Sequence, residues 1–130
     1  MYIPDGFTTV VPYLFVENAE DYIEFLILAF EAEEIGRSLR PDRKIANAQI
    51  RIGTAILMVS EAQGPYTSFK SSYYLYVEDV DEAMERSLKN GATMEMKVGE
   101  MPYGDRQGGV IDPAGNIWWL SQRLIQEPYF

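Results

Sequence analysis

The chain has 130 residues, 47% of them apolar, which is enough for one domain with a buried core. It holds neither cysteine nor histidine, which excludes disulfides, thiolate nucleophiles, metal sites built on either residue and the usual general base near neutral pH. A formal net charge of −9 argues against nucleic acid and favours small cations, and no apolar run is long enough to span a membrane.

The opening "MYIPDGFTTV" has no basic stretch followed by an apolar one, so no secretory leader is expected and the location implied is cytoplasmic. Residues 10–16 read as a short apolar strand. A helix follows, with Asn18 as its predicted N-cap and Asp21 three residues on. Tyr22, Ile23, Leu26, Ile27 and Phe30 repeat at helical spacing on one face. The run "IANAQIRIG" alternates polar and apolar, and Gly53 turns it into the strand "AILMVS". Residues 61–71 read as a linker. A second strand over 73–77 precedes a second helix, with Asp79 as N-cap, Glu82 three residues on, and Val80, Ala83, Met84 and Leu88 on its apolar face. Gly91 stops it. "GGVI", the turn "DPAGN" and "IWWLS" form a last hairpin.

These elements repeat. "PYLFVENAEDYIEF" falls on "YYLYVEDVDEAMER" at an offset of 61, and the same offset carries "AILMVS" onto "NIWWLS". One constant offset over two separate elements predicts two copies of a βαβββ unit. The fold class is α+β: one domain over 1–130, with a first module over 9–60, a linker over 61–71 and a second module over 72–123.

Two such units, with "VPYLFVENAEDYIEF", "RIGTAILMVSEA" and above all "MPYGDRQGGVIDPAGNIWWLS", resemble the vicinal oxygen chelate superfamily. That superfamily includes glyoxalase I, extradiol dioxygenases and bleomycin-resistance proteins. The likeness runs from about Thr9 to Arg123 and is nearest to the small bacterial glyoxalase/bleomycin-resistance members. It implies curved, barrel-like sheets around a cavity, helices on the convex side and a homodimer. In the family's enzymes, His and Glu ligands on the first and last strand of each module hold a metal. Carried over, those positions fall near Val11, Met58, Ser72 and Trp119, none of them a ligand for a divalent ion. Where close relatives read His-Ala-Glu, this chain reads Asn47-Ala48-Gln49, and amides relay no protons near neutral pH. Relatives also carry glycine after the first helix, where this chain has Glu31.

Successive strand residues point to opposite faces. Of the adjacent Trp118 and Trp119, one therefore enters the core: Leu57, Val59, Trp118 and Leu120 pack on the helices. Ile56, Met58, Ser60, Ile117, Trp119 and Ser121 face the cavity, with Val11, Tyr13, Phe15, Tyr74 and Tyr76. Trp119 is then either a stacking platform for a flat or cationic ligand or, with Met58, a plug. Asn47, Gln49 and Arg51 share a strand face that lines the cavity or meets solvent or a partner. "GRSLRPDRK" is a solvated loop or an anion clamp. Asp105 and Arg106 form a loop-fixing ion pair or orient a ligand, and Gly108 and Gly109 mark a bulge or a close backbone approach.

The function expected is that of a protein of bleomycin-resistance type, needing no metal or other cofactor and sequestering a planar or cationic small molecule. Its expected lining is Tyr13, Phe15, Asn47, Gln49, Met58, Tyr74, Tyr76, Arg106 and Trp119. The alternative is a glyoxalase- or dioxygenase-like enzyme with an all-oxygen metal site rebuilt from Glu61, Glu100 or Asp105. A third possibility is a structural dimer whose cavity its own side chains fill.

Overall fold

In the computed structural model, which describes residues 1–130, the elements run β1 (Tyr13–Val16), α1 (Ala19–Phe30), β2 (Glu33–Leu39), β3 (Ile45–Ile52), β4 (Ala55–Glu61), β5 (Ser72–Tyr76), α2 (Val80–Lys89), β6 (Thr93–Glu100), β7 (Asp105–Ile111) and β8 (Ile117–Arg123). The chain divides into two compact units, Met1–Phe69 and Lys70–Phe130. Each is a βαβββ module with a curved, open four-stranded mixed sheet. The strand order is β1-β4-β3-β2 in the first and β5-β8-β7-β6 in the second. In each, the first strand lies parallel to the last and the other pairs are antiparallel. No helix is long and apolar enough to cross a membrane.

Each helix covers one face of its own sheet. In the first unit, Leu14 and Val16 of β1, Ala48 and Ile50 of β3, and Leu57 and Val59 of β4 are buried with Ile23, Leu26 and Phe30 of α1. Every fully buried Ile, Leu or Val there contributes about 1.5–3 kcal/mol of apolar transfer. In the second unit Trp118, Leu120 and Val110 are buried with Val80, Ala83 and Met84 of α2. Leu88, expected on that apolar face, is exposed; Ser87 is buried in its stead and donates its hydroxyl to the Ala83 carbonyl at 2.7 Å.

The helix starts differ from expectation in the first module. Asn18 adopts a left-handed conformation, φ 57°, and its side chain caps nothing. The Glu61 carboxylate, at the end of β4, instead accepts the N–H groups of Asn18 and Ala19 at 3.0 and 2.9 Å. Glu61 thus belongs to a strand rather than to the linker. Sixty-one residues on, Gln122 Oε1 accepts the Val80 N–H of α2 at 3.1 Å. Asp79 caps as expected, accepting from the Glu82 N–H. At the end of α1, Glu31 takes the left-handed conformation that relatives give to glycine, and its N–H closes on the Leu26 carbonyl.

The strands also start and end differently. β1 and β5 begin at Tyr13 and Ser72, leaving Val10 and Val11 outside the sheet. β2 takes in Gly36 to Leu39, and β7 begins at Asp105, so parts of both expected loops are strand.

Candidate functional site

Beta alternation leaves one face of each sheet without a helix, and the candidate ligand residues fall mainly there. In the first module Gln49, Met58 and Tyr13 stand in cross-strand register as one row. The Tyr13 ring packs 4.9 Å from Phe15, and Phe15 lies 5.7 Å from Tyr66 and 6.0 Å from Phe69. Asn47 Nδ2 donates to the Tyr13 hydroxyl at 3.3 Å. Ser60 Oγ donates to the Ala46 carbonyl at 2.6 Å, so its one proton is committed and the Tyr13 hydroxyl, 2.8 Å away, donates to it.

A cavity of about 270 Å³ opens here, lined by Tyr13, Phe15, Arg40, Ala46, Ser60, Glu61, Gln63 and Tyr66; Asn47, Gln49 and Met58, expected in the lining, lie outside it. Its size is near the lower end of small-molecule sites. Arg40 enters from the end of β2. Its Nη1 donates to the Glu61 carbonyl at 3.1 Å, whereas its buried Nε makes no hydrogen bond and lies 3.8 Å from the Asp42 carboxylate. The basic run is part strand and part exposed turn, with Arg43 and Lys44 open to solvent. Arg37 is held by Glu34 and Glu20, and Arg40 turns into the cavity wall. Tyr66 is outside the expected ligand residues, and Arg40 enters them only through the anion-clamp reading of the basic run. Tyr66 lies in the expected linker, where nothing in the local pattern marks it.

The second module places Tyr74, Trp119 and Gly109 in register on its helix-free face. Trp118 takes the opposite side, 3% exposed, its indole N–H donating to Asp112 at 2.8 Å and its ring 4.6 Å from Tyr73. The half-buried Trp119 lies over Gly109, where an added Cβ would stand 2.9 Å from the ring. Gly108, on the other face, admits the Met84 side chain of α2 just as closely. Both glycines serve close approach.

Asp105 and Arg106 point to opposite faces and do not pair. Arg106 forms a two-pronged bond with Asp81 of α2 at 3.0 and 3.1 Å, which lowers the Asp81 pKa and raises that of Arg106. Arg106 thus sits on the helix side, away from the face carrying Tyr74, Tyr76 and Trp119. This corrects its expected place in the ligand lining: neighbours in a strand cannot share a face.

Asp105 is fully buried at the centre of a polar cluster. Its Oδ2 accepts from Tyr74 at 2.5 Å, Tyr129 at 2.7 Å and Ser121 at 2.9 Å, and its Oδ1 accepts from Arg123 at 2.9 Å. Burial alone would push this carboxyl up, but the hydroxyls of Tyr74 and Tyr129, the Arg123 guanidinium and Ser121 outweigh it and hold its pKa at about 2. Burial, then the bond to Asp105, raises the Tyr74 phenol.

The positions that would carry a metal in the family's enzymes do not fit one. Met58 and Trp119 offer no ligand, and Ser72 lies beside Ile117. Glu61 uses both carboxylate oxygens on helix N–H groups, and Asp105 is saturated by four donors. Nowhere do three carboxylates converge.

Comparison with known proteins agrees with this architecture. Residues 7–120 match the model of the Glyoxalase/Bleomycin resistance protein/Dioxygenase superfamily. An uncharacterised protein of Mycobacterium bovis, Mb0911c, is 34% identical over 122 aligned residues, covering 85% of this chain and 80% of that one. Among solved structures, TioX from Micromonospora sp. ML1 is 26% identical with a TM-score of 0.76, covering 91% of this chain and 99% of its own. TnmS3, an antibiotic-binding protein from Streptomyces sp. CB03234, shares the fold at 17% identity with a TM-score of 0.70, covering 94% and 99%. The chain belongs to the Glyoxalase/Bleomycin resistance protein/Dioxygenase superfamily.

Proposed function

We propose that the protein binds and sequesters a planar small molecule without a metal, using the aromatic cavity of its first module. The observation that carries this reading is the Tyr13–Phe15–Tyr66 wall beside Arg40, whose buried Nε makes no hydrogen bond and has only the Asp42 carboxylate, 3.8 Å away, as an ion-pair partner. An unsatisfied buried donor is costly, about 1–3 kcal/mol, and a ligand acceptor would relieve that cost. Aromatic walls suit a flat π surface. The net charge of −9 attracts cations at long range, but the cavity wall carries a guanidinium and a carboxylate already engaged by a helix. The ligand class favoured is therefore a planar aromatic with a carboxylate or carbonyl acceptor. TnmS3, named as an antibiotic-binding protein, has the same fold and supports the reading by analogy.

Asn47, Gln49 and Met58 are further candidate contacts on the same module, and Trp119, Tyr74 and Tyr76 are candidates on the helix-free face of the second module by itself. Homodimerisation and a cytoplasmic location belong to the same reading and rest on the family resemblance.

The test is a titration of 15N-labelled protein with 2-naphthoate, a flat ring system bearing one carboxylate. Saturable shifts of the Tyr13, Phe15, Ser60 and Tyr66 amides are expected. The absence of any saturable shift in the first module would remove the reading.

A further inference from the structure

The residues after β8 place a side chain of the protein itself on the helix-free face of the second module. Leu124 N–H bonds the Gly104 carbonyl at 2.9 Å, and Arg123 Nη2 donates to the Glu127 carbonyl at 2.6 Å. These two anchors carry the Tyr129 phenol to the Asp105 cluster. Its hydroxyl donates to Asp105 Oδ2 at 2.7 Å, and the Tyr76 hydroxyl, also 2.7 Å away, donates to it in turn. The Arg123 guanidinium carbon sits 4.0 Å over the ring centroid, and the Tyr103 ring meets it edge-on at 6.3 Å. Every feature of a phenol is thus matched: a carboxylate for its proton, a hydroxyl donor for its oxygen, a cation for its face and an aromatic edge for its side.

The seat itself is built without Tyr129. Three of the four donors to Asp105, namely Tyr74, Ser121 and Arg123, stand on strands. Tyr129 by contrast is 43% exposed, and its neighbours Leu124 and Ile125 are about equally open. A polar seat built on strand residues, under an occupant left nearly half exposed, is the arrangement of a site with an exchangeable ligand.

We propose that Tyr74, Tyr76, Asp105 and Arg123 form a binding site for a phenolic aromatic, which Tyr129 fills as an internal competitor in the ligand-free protein. A free phenol would enter by displacing Tyr129, so occupancy of the site and release of residues 124–130 are coupled. The site is made of second-module residues alone, so it stands or falls apart from the first-module cavity.

The probe is p-cresol, which reproduces the tyrosine side chain, with 4-methylanisole as the control that has no hydroxyl proton to give Asp105. Binding is followed by NMR on the wild-type protein, Tyr129→Ala and Tyr129→Phe. If Tyr129 covers the site about nine-tenths of the time, removing it raises apparent p-cresol affinity about tenfold. Shifts are expected at the Arg123 Nε–H and the Tyr74 and Asp105 amides, with no gain for 4-methylanisole. Tyr129→Phe, which keeps the ring and therefore the packing, should show a smaller gain in the same place. Equal p-cresol affinity in all three proteins, equal gains for both probes, or shifts confined to Tyr13, Phe15 and Tyr66 would overturn the proposal. The 2-naphthoate titration reads the first module independently, so either reading can fail alone.

Discussion

The Tyr13 hydroxyl lies 2.8 Å from the Ser60 hydroxyl, on the face of the first sheet that no helix covers. The same pair recurs 61 residues later as Tyr74 and Ser121, 2.9 Å apart. The surroundings differ. Ser60 spends its proton on the Ala46 carbonyl, whereas Ser121 and Tyr74 both reach a buried carboxylate, Asp105. At the offset of Asp105 the first module has Lys44. One inherited pair has therefore been built into two sites, one next to a cationic wall and one centred on an anion.

That difference puts acid sensitivity in the second module. Asp105 has its pKa held near 2 against an ordinary value of 3.8, so the stability it confers is present above about pH 4 and is lost as pH falls through about 2. Asp105→Asn should flatten this part of the acid limb and lower stability at neutral pH by about 2–4 kcal/mol, because Arg123 loses its partner. Urea unfolding of both proteins between pH 2 and 7 checks it. An unchanged acid limb in the variant would mean that another group carries the dependence.

Gly109 should tolerate no side chain. An alanine Cβ there would stand 2.9 Å from the Trp119 ring, and displacing the indole should cost about 1–3 kcal/mol. Gly109→Ala should also shift tryptophan emission, because Trp119 moves while Trp118 stays buried. Emission and stability identical to the wild type would show that the indole does not rest on Gly109.

The two modules cap their first helix turn from equivalent places with different groups, Glu61 and Gln122. Glu61→Gln should cost about 0.5–1 kcal/mol, since its one amide oxygen can keep only one of the two bonds, as Gln122 does at α2. Glu61→Ala should cost about 1–2 kcal/mol, the usual loss of an N-cap acceptor. Equal costs would indicate that charge, rather than the hydrogen bonds, stabilises the start of α1.

Chelation should change nothing. Dialysis against EDTA is expected to leave both the melting temperature and 2-naphthoate affinity as they were, since Glu61 and Asp105 are already engaged. A fall in either quantity, restored by Mg or Mn, would reopen an all-oxygen metal site.

Much of the fold was legible because it is periodic. The 61-residue offset, the hairpin turns at Gly53 and "DPAGN", and the opposite facing of Trp118 and Trp119 all follow from short-range patterns. What escaped was long in sequence. Glu61 reaches a helix start more than 40 residues before it, so local capping rules pointed to Asn18 instead. The offset of 61 relates Glu61 to Gln122, but only the folded chain shows that both accept helix N–H groups. Arg106 was grouped with Asp105 although strand alternation separates them. Tyr129 carried no signal, because its place depends on backbone contacts of Leu124 and Glu127 rather than on any motif.

The central claim is that the first-module cavity binds a planar ligand through Arg40. Calorimetric titration of 2-naphthoate into the wild-type protein and Arg40→Ala tests it most directly. The account predicts saturable binding to the wild type at one site and affinity at least about tenfold weaker in the variant, the loss of one charge-assisted hydrogen bond of about 1.5–3 kcal/mol. Equal affinity in the two proteins would contradict it.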